Sequence, residues 1–300
     1  MPPAPEEKPA LPKTSVLIVA FNCADALRRC LTSLERSTNR EAFEVIVVDN
    51  GSRDATPQLE PEFPAVTFLK LPRHFGLAKA RNIGTRTATG ECLLLLNPCV
   101  ELEPQTVASL AETLHANPQT PAVTAAIEPP QPNYPLPSAD DLARLCATGD
   151  YPPPKPPDAE IDWVPALALL VRKEFVRGMN YFDERLANHW GDLELCWQIR
   201  HAGKRILPVP SARAAFHPHS LDLPPDARAA VSADMALAAA AYIAKHQGTA
   251  AGLAFRLKAM LGSTGGALGA IVRARDLRYH TSRWLNLLTG QRIDGSQSSI

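Results

Sequence analysis

Ser15-Val16-Leu17-Ile18-Val19-Ala20 is an almost unbroken apolar run, and beyond Asn22 comes Ala24 to Glu35, with Leu27, Leu31 and Leu34 on one helical face. A short segment that is apolar throughout is buried on both faces, as a parallel strand between helices is. The unit then repeats. Val45-Ile46-Val47-Val48 precedes a helical stretch from Asp54 to Glu60, and Val66-Thr67-Phe68-Leu69 precedes another from Gly76 to Thr87. Cys92-Leu93-Leu94-Leu95-Leu96 precedes a fourth from Pro104 to Asn117, with Pro104 at the favoured first helical position. Ala122 to Ile127 reads as a weaker fifth strand. Strands and helices alternating in this way, joined by right-handed crossovers, predict an α/β fold built on a mostly parallel, doubly wound sheet.

Ligands of such sheets sit beyond the carboxyl ends of the strands. Those ends carry Asn22, Asp49-Asn50-Gly51-Ser52, Arg73-His74 and Asn97-Pro98-Cys99. The set suits a nucleoside, with Asp49 able to accept from a base imide or a ribose hydroxyl. Each of these residues alone equally makes a turn or a helix cap; four polar strand ends together point to a site. No G-x-G-x-x-G follows the first strand and no G-x-x-x-x-G-K-[ST] occurs, which argues against a dinucleotide fold and a P-loop. Neither G-x-S-x-G nor H-E-x-x-H is present. A phosphate-bearing ligand would rely on Arg81, His217, His219 or a metal ion. Gly262-Ser263-Thr264-Gly265-Gly266 follows no strand and reads as a helix break.

The 29 prolines divide the chain. Five lie in residues 2–12, which read as a disordered leader over 1–12, and twelve lie in 118–157. The expected organisation is therefore a domain over 13–220, with a front half (13–127), a proline-rich loop (128–159) and a back half (160–220), followed by a basic helical extension (221–300). In the back half, Ile161 to Val171 reads as a buried strand, residues 173–179 as a short helix, and His189 to Gly203 as a longer one ending at a glycine cap. Arg205 to Val209 and Arg213 to Phe216 read as two further strands, ending at His217-Pro218-His219. Asp192, in the first turn of the long helix, either satisfies the helix end or takes a proton. His217 is either a metal or phosphate ligand or a loop residue.

The 31 Lys and Arg cancel 31 Asp and Glu, so no global field favours nucleic acid. No secretory signal opens the chain, and no apolar run approaches the ~20 residues needed to span a bilayer. The longest, Met235 to Ala244, is mostly alanine. Six cysteines without a C-x-x-C pair read as reduced thiols in a cytoplasmic protein. Residues 226–300 carry nine Lys and Arg against four Asp and Glu, and around 250–283 leucines mix with basic residues. That stretch either lies on an anionic membrane surface or packs on the domain with a solvated basic face.

The order of motifs resembles the family-2 glycosyltransferases, in particular their rhamnosyltransferase-like branch with a GT-A-type nucleotide-sugar fold. The resemblance rests on Ser15 to Asn22, Val45 to Ser52, Phe75 to Asn82, Gly90 to Glu101, Asp162 to Lys173, Phe182 to Arg185, and Gly191 to Gly203 with Arg205 to His217. It implies inverting transfer from a UDP- or dTDP-linked sugar to a hydroxyl of a glycan or lipid-linked acceptor, in cell-envelope polysaccharide synthesis at the inner face of the membrane. It further implies Asp192 as general base, and Asn22, Asp49, Asn50, Arg81 and Asn97 as nucleotide contacts. Cys99 stands where the family usually carries a metal-binding aspartate, with His217 as a further metal or diphosphate ligand. Gly191 stands in place of a glutamate, Pro165-Ala166 in place of Ser-Gly, and Asn180-Tyr181 in place of Gly-Gly. A thiol is a poor partner for a hard cation, so Mg²⁺ or Mn²⁺ is expected to be weakly held, with no covalent cofactor. The alternatives are a nucleotide-sugar-binding protein without turnover, or a membrane-surface scaffold.

Overall fold

A computed structural model describes residues 13–156, 159–218, 224–273 and 277–293, with 265–273 described by backbone alone. The expected leader over 1–12 and His219 lie outside the described residues. In chain order the elements are β1 (Thr14–Ala20), α1 (Ala24–Glu35), β2 (Phe43–Asp49), β3 (Val66–Lys70), α2 (Leu77–Thr87), β4 (Cys92–Leu96), β5 (Val100–Leu102) and α3 (Thr106–Ala116). Then come β6 (Ala122–Glu128), α4 (Ala139–Thr148), β7 (Ala168–Arg172), α5 (Lys173–Gly178), α6 (Gly191–His201) and β8 (Ile206–Phe216). Three long helices close the chain: α7 (Pro225–Gln247), α8 (Thr249–Arg273) and α9 (Leu277–Thr289).

The strands form one eight-stranded sheet in the order β3-β2-β1-β4-β7-β6-β8-β5. β1 pairs in parallel with β2 and β4, and β2 with β3, as all-apolar strands joined by helices require. Beyond β4 the sheet becomes mixed. β7 runs antiparallel to both β4 and β6, β6 is parallel to β8, and β5 is antiparallel to β8. Successive strand residues point to opposite faces. Val16, Ile18, Leu94 and Leu96 therefore pack beneath α1 and α3 with Leu27, Leu31, Leu110 and Leu114. Leu17, Leu93, Leu95 and Leu169 face Leu193, Ile199 and the alanines of α7.

Several local expectations are corrected. The strand expected over 161–171 forms only at Ala168–Arg172, because Pro165 offers no N–H to a ladder; Trp163 makes an isolated bridge to Tyr134. The proline-rich loop over 128–159 contains α4, whose N-terminus is a capping box between Ser138 and Asp141 and whose Leu142, Leu145 and Cys146 are buried. Proline composition concealed an ordinary helix-start signal. Arg205 to Val209 and Arg213 to Phe216 belong to one strand, β8, whose register shifts opposite Ala125 and Ala126. Residues 56–62 form a 3₁₀ turn with Pro61 inside it, and α3 starts at Thr106, leaving Pro104 outside the helix. Gly262 to Gly266 lies within α8, so it is no helix break. None of the six cysteines forms a disulfide.

α7 is long and apolar enough, by length and composition, to cross a membrane, although the longest unbroken apolar run, Met235 to Ala244, is far shorter than the helix. More than half of that stretch is buried within the fold, and the fully buried Asp234 lies in its middle.

If α4 is part of the core, Leu145→Ala lowers the unfolding free energy by about 2–5 kcal/mol, measured by denaturant titration. A change below about 0.5 kcal/mol would mean that the segment behaves as a surface loop.

Candidate functional site

The ends of β1 and β2 are tied into one polar corner. Asn50 N–H donates to Ala20 O at 2.8 Å, continuing the ladder past the last strand residue. Asn22 sits at φ 48, where its Oδ1 accepts from Arg53 N–H at 2.8 Å while its own N–H donates to Ser52 Oγ at 2.9 Å. Asp49 Oδ1 accepts from Ser52 N–H and Asn50 Oδ1 from Phe75 N–H, each at 2.9 Å. Gly51 has φ +80, and a Cβ there would come within 2.3 Å of the Arg73 backbone carbon. The structure thus brings Asn22, Asp49 and Asn50 together, with Asp49 and Asn50 almost wholly buried.

Arg81, Asn97 and Asp192 line a neighbouring cavity of about 230 Å³. Asp192 enters it from the first turn of α6. Its Oδ1 accepts from Leu193 N–H at 2.8 Å and its Oδ2 from Ala166 N–H at 3.3 Å. The helix itself starts on Trp190, at φ 64, with no side-chain cap, so Asp192 both satisfies the Leu193 N–H of its own first turn and reaches across to the segment before β7. Asn97 Oδ1 accepts from Cys99 N–H at 2.8 Å, and Asn97 N–H donates to Leu167 O. Arg81 projects from α2 with its guanidinium carbon 5.6 Å from the centre of the Phe182 ring. Burial pulls its pKa below the ordinary guanidinium value, and the Asp192 charge opposes that shift. A Cβ at Gly191 would lie 3.6 Å from an Arg81 terminal nitrogen, so the glycine leaves Arg81 facing Asp192 without a second carboxylate beside it.

Other walls come from segments not singled out in the sequence as site-forming. Tyr151, Trp163 and Trp190 line the cavity as a run of rings, with centroids 5.8 Å apart for Tyr151 and Trp163 and 6.2 Å for Trp163 and Trp190. Burial, reinforced by the Asp192 charge, raises the Tyr151 phenol pKa. Met235 of α7 completes the wall and its carbonyl accepts from Trp190 Nε1 at 2.9 Å, so the C-terminal extension is part of this site. Asn188 and His189, also lining residues, link outward. Asn188 Oδ1 lies 2.9 Å from His74 Nε2 and accepts from Leu77 N–H at 3.1 Å, while its amide donates to Asp234 Oδ2 at 3.0 Å. His189 Nε2 is 3.4 Å from Asp234 Oδ2, and Arg292 is 3.2 Å from Asp234 Oδ1. The run Asn188-His189-Trp190 directly before Gly191-Asp192 was the available signal.

Cys99 and His217 meet through the backbone, His217 N–H donating to Cys99 O at 2.9 Å. The His217 ring is 3.3 Å from Glu101, which also pairs with Arg29 at 3.2 Å. Among the described residues no three His, Cys, Asp or Glu side chains converge as a metal site. The donors at Cys99 therefore do not fit a protein-built Mg²⁺ or Mn²⁺ centre, which calls for several carboxylate or carbonyl oxygens.

Residues 15–151 match the profile of Glycosyl transferase family 2. Over 228 residues the chain is 30% identical to the pre-mycofactocin glycosyltransferase of Mycobacterium tuberculosis, a match covering 74% of this chain and 46% of that protein. It thus spans about half the length of that relative. It is 26% identical over 233 residues to the N-acetylglucosaminyl-diphospho-decaprenol L-rhamnosyltransferase of the same organism, covering 67% of this chain and 75% of that one. Among solved structures, the mannosyltransferase PcManGT from Pyrobaculum calidifontis in complex with GDP-Man and Mn²⁺ shares the fold at TM-score 0.53 and 17% identity, over 95% of this chain and 89% of that one. GalNAc-T7 with UDP, GalNAc and Mn²⁺ does so at TM-score 0.55 and 19% identity, over 70% and 44%.

Burial holds the His189 pKa below its ordinary value, against the opposing charge of Asp234. The folded protein therefore holds fewer protons at this ring than the unfolded chain. The stability this contributes is complete above about pH 6.5 and is lost as pH falls below that value. Thermal unfolding midpoints should drop between about pH 7 and 5, and His189→Gln should flatten that segment of the profile. An unchanged slope in the variant would show that His189 does not titrate in this way.

Proposed function

Because the chain carries a family-2 glycosyltransferase domain, we propose that it moves a sugar from a UDP- or dTDP-linked donor to a hydroxyl of a glycan or lipid-linked acceptor, with inversion at the anomeric carbon. The observation that carries this reading is the pairing, in one cavity, of a carboxylate fixed by two backbone N–H groups and a half-buried guanidinium whose facing charge is that carboxylate. Asp192 accepts the proton of the acceptor hydroxyl, whose oxygen attacks the anomeric carbon as the bond to the diphosphate breaks. The diphosphate leaves with the electron pair, and Arg81 offsets the charge it develops. Asn22, Asp49 and Asn50 form the corner for the nucleoside, and Asn97 lines the cavity beside Arg81 and Asp192. The rings of Tyr151, Trp163 and Trp190 line the same cavity as Asp192 and offer apolar faces to an acceptor.

Divalent metal, which accompanies the nucleotide sugar in the PcManGT and GalNAc-T7 structures, would be held here mostly by phosphate oxygens, with little help from Cys99 and His217. The donor set at Cys99 also favours a second reading, in which the nucleotide sugar is bound without turnover. The catalytic unit in the first reading runs from residue 13 through α7, since Met235 closes the cavity. A cytoplasmic location at the inner face of the membrane suits a lipid-linked acceptor.

Asp192→Asn should lower turnover by ~10²–10⁴-fold, the usual contribution of positioned proton transfer, while leaving UDP or dTDP affinity within about threefold. Retained turnover would remove Asp192 from the role, and a wild type that binds a donor without hydrolysing or transferring it would favour the second reading. Addition of EDTA should change UDP or dTDP affinity by less than about threefold, a shift below ~0.65 kcal/mol by calorimetry. Collapse of binding in EDTA would contradict a weakly held metal.

A further inference from the structure

α4, α8 and α9 enclose a second cavity, of about 300 Å³, that shares no lining residue with the one around Asp192. Cys146 of α4, Lys258 and Gly262 of α8, and Tyr279, His280 and Arg283 of α9 lie on its walls. Arg283 is only 6% exposed. Its Nε donates to Ser232 Oγ at 2.9 Å, and one terminal nitrogen donates to Ala259 O at 3.2 Å and to Ser263 Oγ. Among the described residues the other terminal nitrogen has no acceptor, and no carboxylate pairs with the guanidinium. The carboxylates of this region are engaged by its neighbours, Asp140 by Lys258 at 2.7 Å and Asp226 by Arg278. The titratable groups facing Arg283 are Tyr279 and Cys146, and burial pushes the Cys146 thiol up to about 12, so it brings no counter-charge. A guanidinium stays charged when buried, and a buried charge left without a counter-charge is costly. Here the uncompensated cation opens on a space large enough for an oxyanion.

We propose that this cavity takes the phosphate group of an anionic membrane lipid, with Arg283 as its counter-charge. Guanidinium and phosphate match geometrically, two N–H groups to two oxygens. A lipid, rather than a free phosphate, is indicated by what surrounds the opening. Leu257 and Leu261 directly precede the lining residues Lys258 and Gly262, and are 50% and 72% exposed. Leu253 on the same helix and Leu277, Leu285 and Leu288 on α9 are exposed as well. Over residues 249–293 seven Lys and Arg stand against one acidic residue, Asp276. Exposed leucines in a segment rich in Lys and Arg, beside a cavity that holds a cation, are what an interfacial helix presents to an anionic bilayer.

The binding test needs no transferase activity, so it stands or falls apart from the proposed reaction. The probe is flotation with phosphatidylcholine vesicles containing about 30% phosphatidylglycerol, at low salt, where electrostatic attraction is least screened. The wild type should float with these vesicles and not with pure phosphatidylcholine. Arg283→Gln should reduce the bound fraction at least about fivefold, and clearly more than Arg278→Gln, which removes an exposed charge outside the cavity. Gly262→Leu fills the cavity without altering charge: a Cβ there meets nothing within 4 Å, and leucine favours helix over glycine. That variant should keep or raise the thermal midpoint while losing vesicle binding at least about fivefold. The proposal is overturned by vesicle binding in Gly262→Leu equal to wild type, by equal losses for Arg278→Gln and Arg283→Gln, or by no wild-type flotation. A thermal midpoint raised by about 10 mM inorganic phosphate in the wild type and not in Gly262→Leu, without vesicle binding, would assign the cavity to a free anion instead.

Discussion

A fully buried carboxylate, Asp234 of α7, fixes how the C-terminal helices meet the rest of the fold. A charge so placed must be matched on every side, and its partners come from two distant parts of the chain. Asn188 and His189 belong to the loop before α6, while Arg292 lies beyond α9 and also donates to the carbonyls of Asp234 and Arg185. The loop is held in an unfavourable backbone shape, with Ala187 at φ 49 and Trp190 at φ 64. Non-glycine residues in that region cost free energy and persist only where surrounding contacts over-determine them. The Asp234 cluster and the bond from Trp190 to the Met235 carbonyl supply those contacts. α6 starts immediately after the loop, so the same contacts set where Asp192 points.

The front half was legible because its signals are local. β1, β2 and β4 are apolar at nearly every position, and only a sheet covered on both faces buries such strands. The polar corner followed from the rule that sites form at strand ends, and Asn22, Asp49 and Asn50 do converge there. Local periodicity could not show that β7 runs antiparallel between β4 and β6, because a buried strand reads the same in either direction. It also could not show that Met235 and Asp234 reach the cavity. Their neighbours are alanines, and a mostly apolar helix gives no hint of which residue it presents to which partner. Tyr151 and Trp163 were hidden for other reasons: the prolines around Tyr151 suggested a loop and Trp163 fell in an expected buried strand, whereas both rings line the cavity wall.

The departures from the family pattern fall in two groups with different physical consequences. Gly191 and Pro165-Ala166 lie at the cavity, where they leave Arg81 facing Asp192 and leave Ala166 N–H to hold the Asp192 carboxylate. Those changes are compatible with a working base. Cys99 lies at the seam between β5 and β8, where its backbone serves the sheet and its neighbourhood offers Glu101 and His217, already paired with each other and with Arg29. There the described residues bring together no cluster of three His, Cys, Asp or Glu that could hold a hard cation.

Because Asp234 is not itself in contact with the reacting atoms in this account, its role is positional, and kinetics can separate it from a purely structural one. The most direct measurement is the steady-state kinetics of Asp234→Asn beside its UDP or dTDP affinity, using whichever nucleotide sugar the wild type turns over fastest, at a temperature where the variant is fully folded. If the cluster positions Asp192, kcat falls at least about tenfold while nucleotide affinity stays within about threefold. A variant with wild-type kcat would contradict the account.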